Sequence, residues 1–302
     1  MRSAFLSHLV VLLLTFGGLF GLVSDAFAVP RLEDLEKRVD IEYGQAAGES
    51  LRLDVYLQKG SGPHAAIVYV HGGGFVTGDK GAISRHYTDP FIEVGFSLIS
   101  VNYRLAPKHP FPAAPDDVQS AIAYIKKNAK ALRVDPDKLV LLGDSAGGLL
   151  VSYAAAKYRP GNKVAASIPF YGEHDLMIRS TEEPCFMDGK ASPRPQGGCI
   201  SGGLGAFLGF KELNDENYKI LRDASTVTHV HKGMPPVLLI HGTRDYGVPF
   251  EQSVQLQQVM QFAGAECDLV PVVGGGHGGW NAPEHQHFKK TMVEWTLKRV
   301  NP

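Results

Sequence analysis

Short apolar runs separated by segments of helical spacing predict an α/β chain built on a mainly parallel sheet. The first observation is that the stretches 65–70, 96–101, 139–142, 167–170 and 236–240 are almost continuously apolar, as strands covered on both faces must be. The second is that helical patterns lie between them, at 146–157, 250–263 and 285–300, and at Val118, Ala121, Ile122 and Ile125 after Pro115-Asp116. The third is size: 302 residues, 44% hydrophobic and 20% charged, are enough to bury a core without help from three cysteines.

Each element follows in order along the chain. Val39, Ile41 and Tyr43, then Leu51, Leu53, Val55 and Leu57, are apolar at every second position and read as edge strands with one wet face. The strands at 65–70, 96–101, 139–142 and 167–170 follow, the last being the sixth. After it comes the one break in rhythm, because residues 172–234 show no clear period and include Gly197-Gly198-Cys199-Ile200-Ser201-Gly202-Gly203. So long a loop is unusual inside a compact domain, and it reads as an insertion over the carboxyl edge of the sheet, where it would act as a lid. Strand 236–240, helix 250–263, strand 269–273 and helix 285–300 complete the domain, which spans 29–302.

Residues 1–28 stand apart. Arg2 precedes an apolar run over 9–23, and Ala26-Phe27-Ala28 supplies a small-x-small site, the pattern of a secretory signal peptide cleaved after Ala28. The run is interrupted by three glycines and falls short of the roughly 20 residues that span a bilayer, so no stable membrane anchor is expected after cleavage. A secreted or periplasmic location follows. Export permits disulfides, and Cys185 and Cys199, with 13 residues between them, are a candidate pair that leaves Cys267 over. With 30 Lys+Arg against 31 Asp+Glu there is no basic surplus to neutralise phosphates, which argues against a nucleic-acid partner.

The chemistry begins where the strand 139–142 runs into Gly143-Asp144-Ser145-Ala146-Gly147-Gly148 and then a helix. A glycine-flanked serine in this setting is a nucleophile elbow: small neighbours permit the sharp turn, and the helix that follows aims a positive dipole end at Ser145. A serine hydroxyl also needs a base, a group to orient that base, and donors for a developing oxyanion. His71-Gly72-Gly73-Gly74-Phe75, after the strand 65–70, supplies backbone N–H groups unobstructed by side chains. The expected oxyanion donors are the amides of Gly72, Gly73 and Ala146, with His71 holding the loop rather than acting as a base. Asp245 lies just past strand 236–240 in His241-Gly242-Thr243-Arg244-Asp245, where an orienting acid belongs; of its rivals, Asp175 follows an earlier strand and Asp268 lies at a strand start. His277, within Gly274-Gly275-Gly276-His277-Gly278-Gly279, is the candidate base. The order Ser145, Asp245, His277 is that of α/β-hydrolases. Phe75 and Trp280 are candidate substrate-binding residues, core packing being the other reading of Trp280. His229 with His231 and His285 with His287 have metal-like spacing, but neither pair has an obvious third ligand and no metal is expected.

Three stretches carry a resemblance: His71 to Phe75, Asn102-Tyr103-Arg104-Leu105-Ala106-Pro107-Lys108-His109-Pro110-Phe111-Pro112-Ala113-Ala114, and Gly143 to Gly148. On them the chain resembles α/β-hydrolase carboxylesterases with an HGGG loop, similar both to hormone-sensitive-lipase-like esterases and to BD-FAE-type relatives. The resemblance implies an α/β-hydrolase fold, a mostly parallel central sheet flanked by helices with the insertion after the sixth strand. It also implies that the middle stretch is architectural, bracing the elbow. One departure matters: Arg244-Asp245-Tyr246-Gly247-Val248-Pro249 is unlike the D-P-L sequence of the hormone-sensitive-lipase group and looks more like the BD-FAE style. The expected function is a secreted serine carboxylesterase that hydrolyses small to medium acyl esters through an acyl-enzyme and needs no cofactor. Its expected substrate is a small-molecule ester, acylated carbohydrates and aromatic esters among the candidates. An arylformamidase-type amide hydrolase and a non-catalytic binding protein of the same fold are the alternatives.

Overall fold

The computed structural model describes residues 29–178, 185–187, 190–192 and 202–301. The expected signal segment and Cys199, and with it the Cys185–Cys199 pairing, lie outside the described residues. Cys267 is a buried free thiol.

An eight-stranded sheet runs in the order β1-β2-β4-β3-β5-β6-β9-β10. Its strands are β1 (Glu36–Ala46), β2 (Glu49–Leu57), β3 (His64–Val70), β4 (Ser97–Val101), β5 (Val134–Asp144), β6 (Ala166–Phe170), β9 (Val237–Gly242) and β10 (Cys267–Val272), and a separate two-strand hairpin holds β7 (Cys185–Met187) and β8 (Lys190–Ser192). β1 pairs antiparallel with β2 and β2 with β4; every other pairing in the large sheet is parallel. The carboxyl ends of β3, β5, β6, β9 and β10 therefore share one edge. Neighbours are also in step there: Gly143 sits opposite Val70 and Pro169, and Val272 opposite Gly242.

Because side chains alternate across a strand, each buried strand feeds two cores. Ala66, Val68 and Val70 of β3 pack with α2 (Ala113–Lys127) and α3 (Ala146–Ala156), while Ile67 and Tyr69 face α1 (Arg85–Ile92) and α7 (His287–Val300). A smaller cluster joins β9 and β10 to α6 (Glu251–Phe262). Every residue of β4, β6 and β9 is buried, which is why these strands are mostly apolar, with Ser97, Ser100, Ser167 and His241 as their buried polar members.

One expectation needs correction. The segment 172–234 is not without secondary structure, since its described part contains α4 (Gly202–Leu208), α5 (Asp215–Ala224) and a 3-10 turn at Thr226–His229. Helices of two or three turns present too few apolar residues for a period to stand out. One local signal was available, because Asn214 caps α5 by accepting from the N–H groups of Glu216 and Asn217 at 3.1 and 2.9 Å. Helix α1 also went unread. Pro90 lies inside it and cannot donate a backbone hydrogen bond, and burial of Tyr87, Thr88, Phe91 and Ile92 helps to hold so short a helix in place.

Candidate active site

Ser145 stands between β5 and α3 with φ 54° and ψ −119°, a conformation that L residues rarely adopt. The turn is held by a hydrogen bond from its N–H to the Phe170 carbonyl at 3.0 Å and by the burial of all of α3. The approach of that helix to the sheet requires glycine: a Cβ on Gly147 would lie 2.1 Å from the Val70 oxygen.

His277 reaches back from the loop after β10. Its Nε2 is 2.9 Å from Ser145 Oγ, and its Nδ1 is 2.7 Å from Asp245 Oδ2. Asp245 has a side chain with no exposure, whereas that of His277 is 35% exposed, so the base is open to a ligand and the acid is not. Burial opposes charge on Asp245, but hydrogen bonds from His241, His277 and the Val248 N–H outweigh it and hold the carboxyl well below the usual range. Gly247 and Val248 each donate a backbone N–H to Oδ1 at 2.8 Å. The rival acids are engaged elsewhere. Asp175 accepts from the N–H groups of Met177 and Ile178 and from Gln255, and Asp268 accepts from Trp295 Nε1 at 2.6 Å.

At the end of β3, His71 is buried and stacked on Tyr103 with ring centroids 4.4 Å apart. Its Nδ1 donates to the Gly72 carbonyl at 2.7 Å, and burial keeps its pKa below the ordinary imidazole range. The middle motif braces this loop rather than the elbow. Tyr103 donates its hydroxyl to the His71 carbonyl at 3.1 Å and Ala106 its N–H to the Phe75 carbonyl at 3.0 Å, while Arg104 grips the buried Asp117 through both carboxylate oxygens.

The expected donor set changes by one member. The N–H of Gly72 is directed at the Asp144 carboxylate, whereas Gly73, Gly74 and Ala146 have N–H groups that find no hydrogen-bond partner among the described residues. Asp144 also accepts from Tyr69 Oη at 2.5 Å, yet burial dominates and pushes its carboxyl above the ordinary range.

Neither expected substrate-binding ring faces an open cleft. Trp280 is 1% exposed, donates Nε1 to the Gly276 carbonyl at 2.9 Å, and packs on Tyr171 at 5.2 Å. Phe75 is 3% exposed and stacks on Phe207 of α4 at 4.0 Å. Both are apolar rings that reach a nearby core more readily than solvent. Tyr171, which the sequence did not mark, meets the His277 ring edge-on at 4.7 Å and shares a hydrogen bond with Tyr87 at 3.0 Å. Helix α4 lies against the glycine loop so tightly that a Cβ on Gly203 would fall 2.3 Å from the Gly74 oxygen. Of the metal-like histidine pairs, His229 bonds the Asp223 carbonyl and His287 the Pro271 carbonyl. Among the described residues no three His, Cys, Asp or Glu side chains gather as a metal site.

A parallel sheet that carries a strained serine after a central strand, with a histidine and an aspartate on later loops of the same edge, defines an α/β-hydrolase. The chain belongs to the BD-FAE family, whose sequence pattern matches residues 53–260. It is 29% identical over 238 residues to the probable carboxylic ester hydrolase LipM of Mycobacterium tuberculosis, covering 73% of this chain and 52% of that protein. Esterase LipQ of the same organism is 28% identical over 239 residues, 75% and 53% of the two chains. The chain therefore spans about half the length of these curated relatives. Among solved structures, a truncated carbohydrate esterase from gut microbiota superposes with a TM-score of 0.74 at 25% identity, covering 90% of this chain and 100% of the other. Thermogutta terrifontis esterase 2, phosphoramylated by tabun, gives 0.66 at 24% identity over 90% and 97%, a likeness of fold.

Proposed function

We propose that the protein is a serine carboxylesterase that hydrolyses small to medium acyl esters through an acyl-enzyme. The observation that carries this reading is the continuous hydrogen-bonded chain from Ser145 Oγ through both nitrogens of His277 to Asp245. A carboxylate accepts from Nδ1, which fixes the tautomer with Nε2 free to take the serine proton. Ser145 Oγ attacks the ester carbonyl as His277 Nε2 removes its proton. The N–H groups of Gly73 and Ala146, with Gly74 in place of Gly72, hold the tetrahedral oxyanion. Collapse expels the alcohol, protonated by His277, and water activated by the same imidazole then releases the acid.

The names of the relatives support ester chemistry, and the gut carbohydrate esterase supports acylated carbohydrates within the substrate class. In this reading α4, which lies against the glycine loop at Gly203 and Gly74, covers that side of the cleft. Residues 1–28 direct export to the periplasm or medium, and the mature chain begins at Val29. Hydrolysis rates on p-nitrophenyl esters of increasing acyl length, acetylated xylan, a feruloylated sugar and an N-formyl arylamine test the assignment. Ester turnover is expected, with Ser145→Ala reducing kcat on the order of a million-fold in a folded protein. Turnover of the formamide alone would make the enzyme an amidase. More than a few per cent of activity left in Ser145→Ala would remove the nucleophile assignment.

A further inference from the structure

His241 is fully buried, lies four residues before Asp245, and makes three polar contacts. Its Nε2 is 2.9 Å from the Val248 carbonyl and 3.3 Å from Asp245 Oδ2, and its Nδ1 is 2.8 Å from Ser253 Oγ on α6. A carbonyl can only accept, so Nε2 carries the proton, and the same N–H is shared with the carboxylate. Val248 closes a ring, because its N–H donates to the other oxygen of Asp245 while its carbonyl accepts from His241. Asp245 thus has His277 and His241 on one oxygen and the Gly247 and Val248 amides on the other.

We propose that His241 is a positioning residue for the candidate acid: it locks the plane of the Asp245 carboxylate through Val248 and draws charge away from the oxygen that faces His277. The inference rests on the esterase reading and deepens it. Two consequences follow. A carboxylate that loses this donor keeps more charge on the oxygen that faces His277 and is a stronger partner for an imidazolium. Its freed plane also lets His277 drift from Ser145, which lowers kcat without changing what the substrate touches. The ionisable groups that face His277 are Asp245 and Tyr171, and those that face His241 are Asp245 and the neutral, buried His174.

The test compares His241→Gln, His241→Asn and Ser253→Ala with the wild-type enzyme on one ester across pH. A glutamine amide reaches the position of Nε2, whereas the shorter asparagine reaches only that of Nδ1. Expected are near-normal kcat for His241→Gln, a kcat about ten-fold lower for His241→Asn at unchanged KM, the worth of one hydrogen bond to a charged group, and an acid limb moved upward in His241→Asn. Ser253→Ala leaves the imidazole in place but frees its orientation, and a smaller shift of the same sign is expected even if the other variants do not fold. Wild-type kcat and acid limb in folded His241→Asn, or an unmoved limb in Ser253→Ala, would overturn the proposal. If wild-type enzyme hydrolyses no ester, the esterase reading fails first, and the two failures are distinct.

Discussion

Substituting Gly147 by alanine places one methyl group where the structure has no room for it. Its Cβ would lie 2.1 Å from the Val70 oxygen and 2.7 Å from the His71 oxygen, both backbone atoms that no rotamer change can clear. Ordinary contact begins at 3.4 Å, so α3 and the end of β3 must separate by about 1.3 Å. Two effects then compete. Alanine favours a helix interior over glycine by up to about 1 kcal/mol, and overpacking costs about 1–3 kcal/mol, so a modest net loss of stability is expected. Catalysis suffers more, because the separation opens between the strand end that carries the glycine loop and the helix start that carries Ser145 and Ala146. A displacement near 1 Å in such a constellation costs on the order of a hundred-fold in rate. Steady-state kcat and KM on p-nitrophenyl acetate, with thermal melts, check this. Gly44→Ala serves as control, since its Cβ would meet only Leu51 Cδ1 at 3.8 Å. Full kcat in folded Gly147→Ala would refute the idea that this close approach aligns the donors with the serine.

Two further outcomes are expected. Ser145→Gly should be inactive yet melt higher, because relief of about 1–3 kcal/mol of backbone strain at φ 54° exceeds the added flexibility of glycine in the unfolded chain; a lower melting temperature would argue that the turn stores no strain. His174 is fully buried, and burial, with His241 nearby, pushes its pKa from 6.5 down to about 3. Between those values the unfolded chain binds a proton that the folded imidazole refuses, so stability is intact above the upper value and lost progressively as pH falls toward the lower. His174→Leu should flatten the melting-temperature profile over that window, and a slope equal to wild type would count against it. Ser152 keeps the Leu149 carbonyl and Thr226 as partners in that variant.

The strand series, its parallel class and the order Ser145, Asp245, His277 were legible in the sequence because each rests on a property of one short segment. β4, β6 and β9 are mostly apolar because both faces are covered, and glycines bracket Ser145 and His277 because the local backbone must turn there. Choosing Asp245 rested on its place just past a strand's carboxyl end, where Asp268 stands at a strand start and Asp175 follows an earlier strand. The short helices of the insertion left too few residues for a period to emerge, and Pro90 disguised α1.

Other features depended on what lies across the sheet from each residue. Nothing in the local sequence around Trp280 says whether its ring meets solvent or Tyr171, and nothing in the run of three glycines says that Gly72 alone is turned toward Asp144. His241 is one residue before a glycine in a motif already singled out, but its partners are Ser253 and Val248, and Asp245 lies within its reach only because the loop folds back on itself. Apolarity and spacing travel with the chain and can be read along it. The direction of an N–H, the partner of a buried ring and the number of donors on a carboxylate are set when separate strands come into register, and that register belongs to the tertiary structure alone.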